Sequence, residues 1–244
     1  MRPTLDQAAL DLLFLQARTQ NGWLPTPVDD DQLRRIYDIM KWGPTSANSC
    51  PARFVFLRTP AAKARLLPAL SPGNVDKTKQ APVTAIIGYD TRFFEWMPKK
   101  LFAHRPDMAD NYAKNPALTE IVAFRNGTLQ GAYFMLAARA VGLDVGGMSG
   151  FDNAKVDAEF FPDGRVKSNF LCNLGHGEVT RMRTLMLALA AEKALNQKDF
   201  DVAAKHLGPR YTQHNPNAAD GPEGLRAFLG FLEEKFPDSR SEIK

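Results

Sequence analysis

An amphipathic segment meets an apolar one in the stretch Trp42-Gly43-Pro44-Thr45-Ser46-Ala47-Asn48-Ser49-Cys50-Pro51-Ala52-Arg53-Phe54-Val55-Phe56. Apolar residues at helical spacing predict a helix over residues 29–41, and an apolar run predicts a buried strand over residues 53–59. Two prolines between these elements fix φ and remove two backbone donors, which predicts a rigid loop with unused N–H groups. The serines and the asparagine of the loop suit a planar ligand with hydrogen-bonding groups along its rim. A helix end followed by an ordinary turn is the simpler alternative.

Hydrophobic periodicity predicts the remaining elements on both sides of this loop. The predicted helices cover residues 4–17, 29–41, 60–70 and 118–140, and the predicted strands cover residues 53–59, 82–89 and 166–174. Turn-forming residues predict a turn at residues 71–74, and Gly142 is expected to end the longest helix. The large apolar residues of that helix, such as Leu118, Leu129 and Tyr133, are expected in the core and in a dimer interface.

Two further segments have unusual compositions. Residues 91–117 are rich in aromatic residues and interrupted by prolines, which predicts an irregular segment. Such a segment suits either a lid or subunit contact, or a satellite hydrophobic cluster of the same chain. Residues 143–152 are rich in glycine, which would let the backbone approach a flat ligand closely. Their glycine spacing is not the G-x-G-x-x-G of a dinucleotide-binding fold.

The composition favours a globular cytoplasmic protein. Hydrophobic residues make up 44% of the 244 residues, which is ample for a packed core. No apolar run approaches the roughly 20 residues of a membrane span, and no signal peptide is recognisable, so we expect no membrane partner. Cys50 and Cys172 are isolated, so we expect free thiols in a reducing cytoplasm. The net charge of +4 comes from scattered residues, which argues against nucleic acid as a partner, and no His or Cys spacing indicates a metal.

Four motifs occur in the order seen in a known family. They are Ala17-Arg18-Thr19-Gln20-Asn21-Gly22-Trp23, Met40-Lys41-Trp42-Gly43-Pro44-Thr45-Ser46-Ala47-Asn48, Ala123-Phe124-Arg125-Asn126 and Met148-Ser149-Gly150-Phe151-Asp152. Together they resemble the FMN-dependent nitroreductase family, and within it the malonic semialdehyde reductases of pyrimidine degradation. The resemblance covers residues 1 to about 180.

The resemblance implies a fold and an activity. It implies an α+β domain over residues 1–181, a nitroreductase-like three-layer α/β/α sandwich around a mostly antiparallel sheet. It also implies a homodimer with FMN at the subunit interface and NADH or NADPH as the hydride donor. Hydride transfer then takes place at the flavin N5 atom, so no catalytic side chain is expected. The implied substrate is a small aldehyde such as malonic semialdehyde, reduced to 3-hydroxypropionate. The alternatives are a nitroaromatic or quinone substrate, or a non-catalytic protein that binds flavin or another small ligand.

The resemblance also implies a set of FMN contacts. Arg18 is the expected phosphate contact because a guanidinium matches phosphate oxygens, and a plain surface arginine is the alternative. Lys77 is expected near the flavin N1–C2=O edge, where a cation stabilises the reduced ring, and a solvated lysine at a helix start is the alternative. Backbone N–H groups around Ser149 and Gly150 are expected beside flavin N5 and O4. The expected contacts are Arg18, Thr19, Asn21, Pro44, Thr45, Ser46, Asn48, Asn74, Lys77, Met148, Ser149, Gly150, Arg181 and Arg183.

The chain departs from the nitroreductase pattern over residues 182–244. The segments 196–204, 211–216 and 220–225 resemble the first half of a SnoaL-like, nuclear transport factor 2-like domain. The curved sheet that follows these helices in that family has no counterpart here. We therefore expect a partial helical fragment without cyclase or hydratase chemistry. Apolar residues at helical spacing predict a last helix over residues 225–236.

Overall fold

The computed structural model describes residues 3–178 and 221–235. Contacts divide the chain into two compact units, residues 1–178 and residues 179–244. The expected phosphate contacts Arg181 and Arg183 lie outside the described residues, as does most of the expected SnoaL-like fragment. The assignment of residues 182–244 to that fragment therefore stays a prediction.

One antiparallel sheet of four strands forms the centre of the first unit. The strands are β1 (Ala52–Leu57), β2 (Val83–Asp90), β3 (Asp144–Met148) and β4 (Val166–Gly175), in the order β1-β2-β4-β3. The sequence predicts β1, β2 and β4, whereas β3 lies in the glycine-rich segment, where no strand is predicted. A Cβ on Gly146 would lie 2.6 Å from the backbone carbonyl oxygen of Gln20, which lies against β3 at this point. Position 146 of the strand therefore requires glycine.

Helices account for most of the other described residues. They are α1 (Gln7–Leu10), α2 (Asp30–Met40), α3 (Pro60–Leu66), α4 (Pro72–Gln80), α5 (Asp107–Lys114), α6 (Pro116–Ala140), α7 (Asn153–Phe160) and, in the second unit, α8 (Gly221–Lys235). A π-type turn (Asp11–Leu15) extends α1, and a 3-10 turn (Leu67–Ala69) extends α3. The predicted turn at residues 71–74 is the first turn of α4: the N–H of Asn74 donates to the carbonyl of Ser71 at 2.9 Å, and the missing N–H of Pro72 is not needed there. None of the described helices is both long enough and apolar enough to pass through a bilayer.

Helices cover both faces of the sheet. On one face α2 and α6 pack against the strands, and Phe134 stacks on Phe54 with ring centroids 4.9 Å apart. On the other face α3 and α7 pack around Leu66, Val156 and Leu171. The α+β class and the three-layer α/β/α sandwich expected from the sequence are therefore confirmed, with a helix also present in the C-terminal unit.

The long helix α6 approaches the sheet through its small residues. A Cβ on Gly131 would lie 2.5 Å from the Phe170 ring, so a larger side chain cannot fit there. Leu118, Leu129 and Tyr133 face away, with exposed fractions of 42%, 50% and 40%. Their predicted place in the core of the chain is wrong, because α6 contacts the sheet through another side of the helix, which carries Gly131 and Phe134. Their predicted place in a dimer interface stays a prediction.

Residues 91–117 form short helices instead of the predicted irregular segment. A 3-10 turn (Phe93–Trp96) and a π-type turn (Met97–Leu101) precede α5. Phe93, Met97 and Tyr112 are buried together between β2 and α6. The alternative of a satellite cluster within the same chain is therefore confirmed, while a lid or subunit contact for exposed Trp96 stays a prediction.

Candidate functional site

The loop between α2 and β1 has a strained backbone. Three residues that carry side chains adopt positive φ angles, 50° at Ala47, 48° at Asn48 and 41° at Cys50. Asparagine tolerates this region, whereas alanine and cysteine rarely adopt it, and each such residue costs on the order of 1–3 kcal/mol. Because strain of this kind is found mainly at functional sites, the loop is the first candidate for a binding element.

Two amide side chains of α6 contact the backbone of this loop. The N–H of Ser46 donates to Asn126 Oδ1 at 2.8 Å, near the start of the loop. The N–H of Ala52, where β1 begins, donates to Gln130 Oε1 at 2.8 Å. Both amides are about 5% exposed, so these hydrogen bonds are shielded from water. The strained residues therefore lie between two fixed points.

The polar side chains of the loop are only partly used within the chain. Pro44 is exposed, and half-buried Thr45 accepts a hydrogen bond at Oγ1 from the N–H of Cys50 at 3.2 Å. Exposed Asn48 donates to the carbonyl of Leu101 at 2.7 Å. The Ser49 hydroxyl is fully buried and has no hydrogen-bond partner among the described residues. Its full burial keeps it out of reach of a ligand, so the side chains of the loop that a ligand can contact are the exposed ones of Pro44, Ser46 and Asn48.

A second group of expected contacts meets where α4 lies beside the end of β3. Asn74 Nδ2 donates to the carbonyl of Gly150 at 2.7 Å, and Lys77 Nζ donates to Asn21 Oδ1 at 3.3 Å. A Cβ on Gly150 would lie 2.8 Å from Asn74 Nδ2, so only glycine allows this approach. Buried Met148 ends β3 just before this point. The structure thus brings residues from three distant parts of the sequence into one cluster.

The segment that carries Arg18 runs along the same edge of the sheet. The N–H of Gln20 donates to the carbonyl of Val145 at 3.0 Å, which ties this segment to β3. Arg18 and Thr19 are exposed, as is Ser149 at the end of β3. The Arg18 guanidinium donates to two carbonyl oxygens of its own turn at 3.0 and 2.8 Å. These bonds hold the side chain without neutralising its charge.

Two cations at this edge of the sheet, Arg18 and Lys77, lack an acidic partner among the described residues. Neither Arg18 nor Lys77 has a carboxylate within 4.0 Å among the described residues. Burial lowers the pKa of Lys77 from its ordinary value, because partial loss of water disfavours the charged form. An anion bound beside Lys77 would stabilise the charged form that burial disfavours. The α4–β3 cluster is therefore suited to a negatively charged ligand.

The loop and the α4–β3 cluster lie at opposite edges of the sheet. The loop leads into β1, one edge strand, and Met148 ends β3, the other edge strand. Three steps of roughly 4.8 Å between neighbouring strands separate the two edges, which gives about 14 Å across the sheet. Within one chain, the expected contacts that come together are Asn21, Asn74, Lys77, Met148 and Gly150. The expected contacts of the loop, Pro44, Thr45, Ser46 and Asn48, do not join them in the same chain.

Sequence reasoning missed a buried charge network behind the loop. The Asp90 carboxylate is 1% exposed and contacts Arg53 at 2.6 Å and Arg165 at 3.0 Å. Arg53 also donates to the carbonyl of Cys50 at 3.2 Å, so the network holds in place the last of the three residues with a positive φ. No local pattern marks these residues, because they come from three different strands or their ends.

A cleft of about 900 Å³ opens along the edge of β1 next to this network. Its aromatic and arginine lining includes Tyr37, Arg53, Phe54, Phe56, Trp96 and Arg165. None of the expected cofactor contacts lines this cleft, so its position does not coincide with the α4–β3 cluster.

Comparison with known proteins gives a family for most of the first unit. The sequence model described as the nitroreductase family matches residues 16–176. The “Putative NADH dehydrogenase/NAD(P)H nitroreductase” of Rhodopseudomonas palustris (strain TIE-1) is 54% identical over 194 residues, which is 80% of this chain and 98% of that protein. A protein of Burkholderia lata with the same description is 59% identical over 175 residues, 72% of this chain and 89% of its own length.

Solved structures share the fold. The “putative nitroreductase in complex with FMN” from Exiguobacterium sibiricum 255-15 superposes with a TM-score of 0.62 at 16% identity, covering 72% of this chain and 90% of that one. At this level of identity the likeness supports the three-layer architecture alone.

Proposed function

The chain belongs to the nitroreductase family, and we propose that it is an FMN-dependent NAD(P)H oxidoreductase. The observation that carries the proposal is the α4–β3 cluster with Lys77, beside the segment that carries Arg18 along the same edge of the sheet; neither cation has a carboxylate partner among the described residues. FMN combines an anionic phosphate with a flat ring that has a polar rim, which matches both features. The FMN and the NAD(P)H named for similar proteins support the same choice of cofactor and donor.

The residues present fit this cofactor. The Arg18 guanidinium is exposed and can turn its free donors toward a phosphate. Ser149 at the end of β3 is exposed, so a flat ring can approach the backbone of this segment, while Asn74 fills the space beside Gly150.

When bound, FMN would supply hydride transfer between a reduced nicotinamide and the second substrate, in a ping-pong cycle. The residues of the chain bind and orient in this cycle. Arg18 and Thr19 would hold the phosphate. Asn21 and Asn74 would fix the positions of the neighbouring segments relative to α4. Lys77 would place positive charge at the ring edge, where it favours the reduced state. The N–H groups of Ser149 and Gly150 would contact the polar side of the ring.

The proposed second substrate is a small aldehyde such as malonic semialdehyde, reduced to 3-hydroxypropionate. Its support is the combined resemblance of the four motifs quoted above to the malonic semialdehyde reductases. A nitroaromatic or a quinone is the second candidate, and the description of the relatives at 54% and 59% identity favours it.

We propose further that two copies of the chain assemble and share each FMN. Opposite edges of the sheet carry the two halves of the expected site, so the loop of one copy would complete the α4–β3 cluster of the other. Large apolar side chains are exposed on α6, on the two elements that contact it (α2 and the turn after α1) and just after α2. They include Phe14, Leu15, Tyr37, Trp42, Leu129 and Tyr133. A second copy would cover this surface, because monomers rarely expose large apolar patches.

Steady-state kinetics of the FMN-loaded protein test the proposal. Malonic semialdehyde, a nitroaromatic compound and a quinone are offered in turn with NADH or NADPH. We expect parallel double-reciprocal lines, as a ping-pong cycle requires, and the highest kcat/KM with malonic semialdehyde. A protein that binds FMN but turns over none of the three would be a non-catalytic flavin-binding protein, and a protein that takes up no FMN would overturn the proposal altogether.

A further inference from the structure

The two amides on α6 differ in chemistry from the rest of its buried face. Asn126 and Gln130 lie four residues apart, so they project from the same side of the helix one turn apart. Each is about 5% exposed, and each accepts one backbone N–H from the segment between α2 and β1 at 2.8 Å. The amide nitrogen of Asn126 donates to the carbonyl of Val122 at 2.8 Å, which aims its oxygen at the loop.

These two contacts enclose the strained part of the backbone. The first anchor is at Ser46, the second is at Ala52, and all three positive φ angles lie between them. A backbone in sparsely populated conformations persists only when its surroundings over-determine it. The two carboxamide oxygens supply that constraint from a helix that is itself packed against the sheet.

We infer that Asn126 and Gln130 are positioning residues that hold the loop in its strained conformation, so that its polar groups are arranged before FMN binds. The role in FMN binding rests on the proposed function, whereas the constraint on the loop does not. The required chemistry is an oxygen acceptor at each position, which an apolar side chain of similar size lacks. Glutamate at 130 keeps that acceptor, whereas aspartate at 126 would lose the amide N–H that donates to the carbonyl of Val122.

Amide hydrogen exchange and FMN affinity, measured on the same variants, test the inference. The variants Asn126→Leu and Gln130→Met remove each acceptor, and Gln130→Glu keeps the acceptor at position 130. Thr59→Ala is the matched control: the Thr59 hydroxyl caps α3 at the far end of β1, so its loss weakens the fold away from the loop. Exchange is followed in peptides that cover residues 44–52 and in peptides from β2 and β4.

We expect at least tenfold faster exchange over residues 44–52 in both apolar variants, with β2 and β4 changed no more than in Thr59→Ala. We also expect the FMN dissociation constant to rise about tenfold in both apolar variants, and neither effect to occur in Gln130→Glu. Unchanged loop exchange, or a change equal in all peptides, would overturn the inference. Faster loop exchange with unchanged FMN affinity would keep the constraint and overturn its link to FMN, which separates this outcome from a failure of flavin binding in the unmodified protein.

Discussion

Replacing Lys77 with methionine removes the one cation of the α4–β3 cluster that is partly buried. Lys77 is bonded to Asn21 and has no carboxylate partner among the described residues, so its charge is available to a bound ring. At a separation of about 6 Å and an effective dielectric constant of about 30, a unit charge contributes about 2 kcal/mol. For a two-electron couple this corresponds to about 40 mV. We therefore expect the midpoint potential of bound FMN to fall by about 40 mV in Lys77→Met.

Spectroelectrochemical titration of the FMN-loaded protein measures this potential directly. Lys77→Arg should keep most of the unmodified value, and Lys79→Met is the matched control, because Lys79 is an exposed lysine on the same helix. An unchanged potential in Lys77→Met, or an equal fall in Lys79→Met, would refute the reasoning.

The same charge gives a pH dependence with a defined sign. Burial lowers the pKa of Lys77 in the free protein, and a bound anion would raise it, so binding is coupled to proton uptake. FMN affinity is then fully present below the lowered pKa and falls as the pH rises through it. The alkaline decline should be absent in Lys77→Met.

Three other predictions concern the phosphate contact, the assembly and the C-terminal unit. Arg18→Ala should weaken FMN binding by about 1.5–3 kcal/mol with little change in Tm, because it removes a charge-assisted contact at an exposed position, and full flavin content after gel filtration would contradict this. The unmodified protein should show about twice the 27.1 kDa chain mass in light scattering, and Leu129→Asp should shift it toward the monomer; a monomeric mass with flavin bound would argue against a shared site. A stop after Arg183 should leave FMN binding and its reduction intact, whereas a folded protein that no longer binds FMN would show that residues beyond 183 belong to the site.

The fold could be predicted wherever apolar periodicity is set locally. The helices α2 and α6 and the strands β1, β2 and β4 follow from such patterns. The strand β3 could not be predicted, because Gly146 and Gly147 have no side chains to show a period, and its identity depends on pairing with β4. The start of α4 was hidden for a related reason, since Pro72 and Gly73 are typical of turns as well as of a first helical turn.

The motifs identify the residues of the candidate site, but they do not show that these residues form two separate groups in one chain. The family resemblance implies contacts at both edges of the sheet. Only the strand order β1-β2-β4-β3 shows that the loop and Lys77 are far apart in one chain. The sequence predicts the exposed apolar face of α6 as core because Gly131 and its small neighbours give no hydrophobic signal of their own. The quoted motifs include Asn126 but not Gln130, and the role of both amides could not be predicted because their partners are backbone N–H groups about 80 residues away.

Anaerobic mixing of the purified, FMN-loaded protein with NADH and with NADPH tests the central claim most directly. The absorbance of the flavin band is followed in a stopped-flow spectrometer, and malonic semialdehyde is added once the signal is stable. The account predicts that at least one nicotinamide bleaches the band within seconds, and that the aldehyde restores it. A band that stays oxidised with both donors would contradict the assignment of this chain as an FMN-dependent NAD(P)H oxidoreductase.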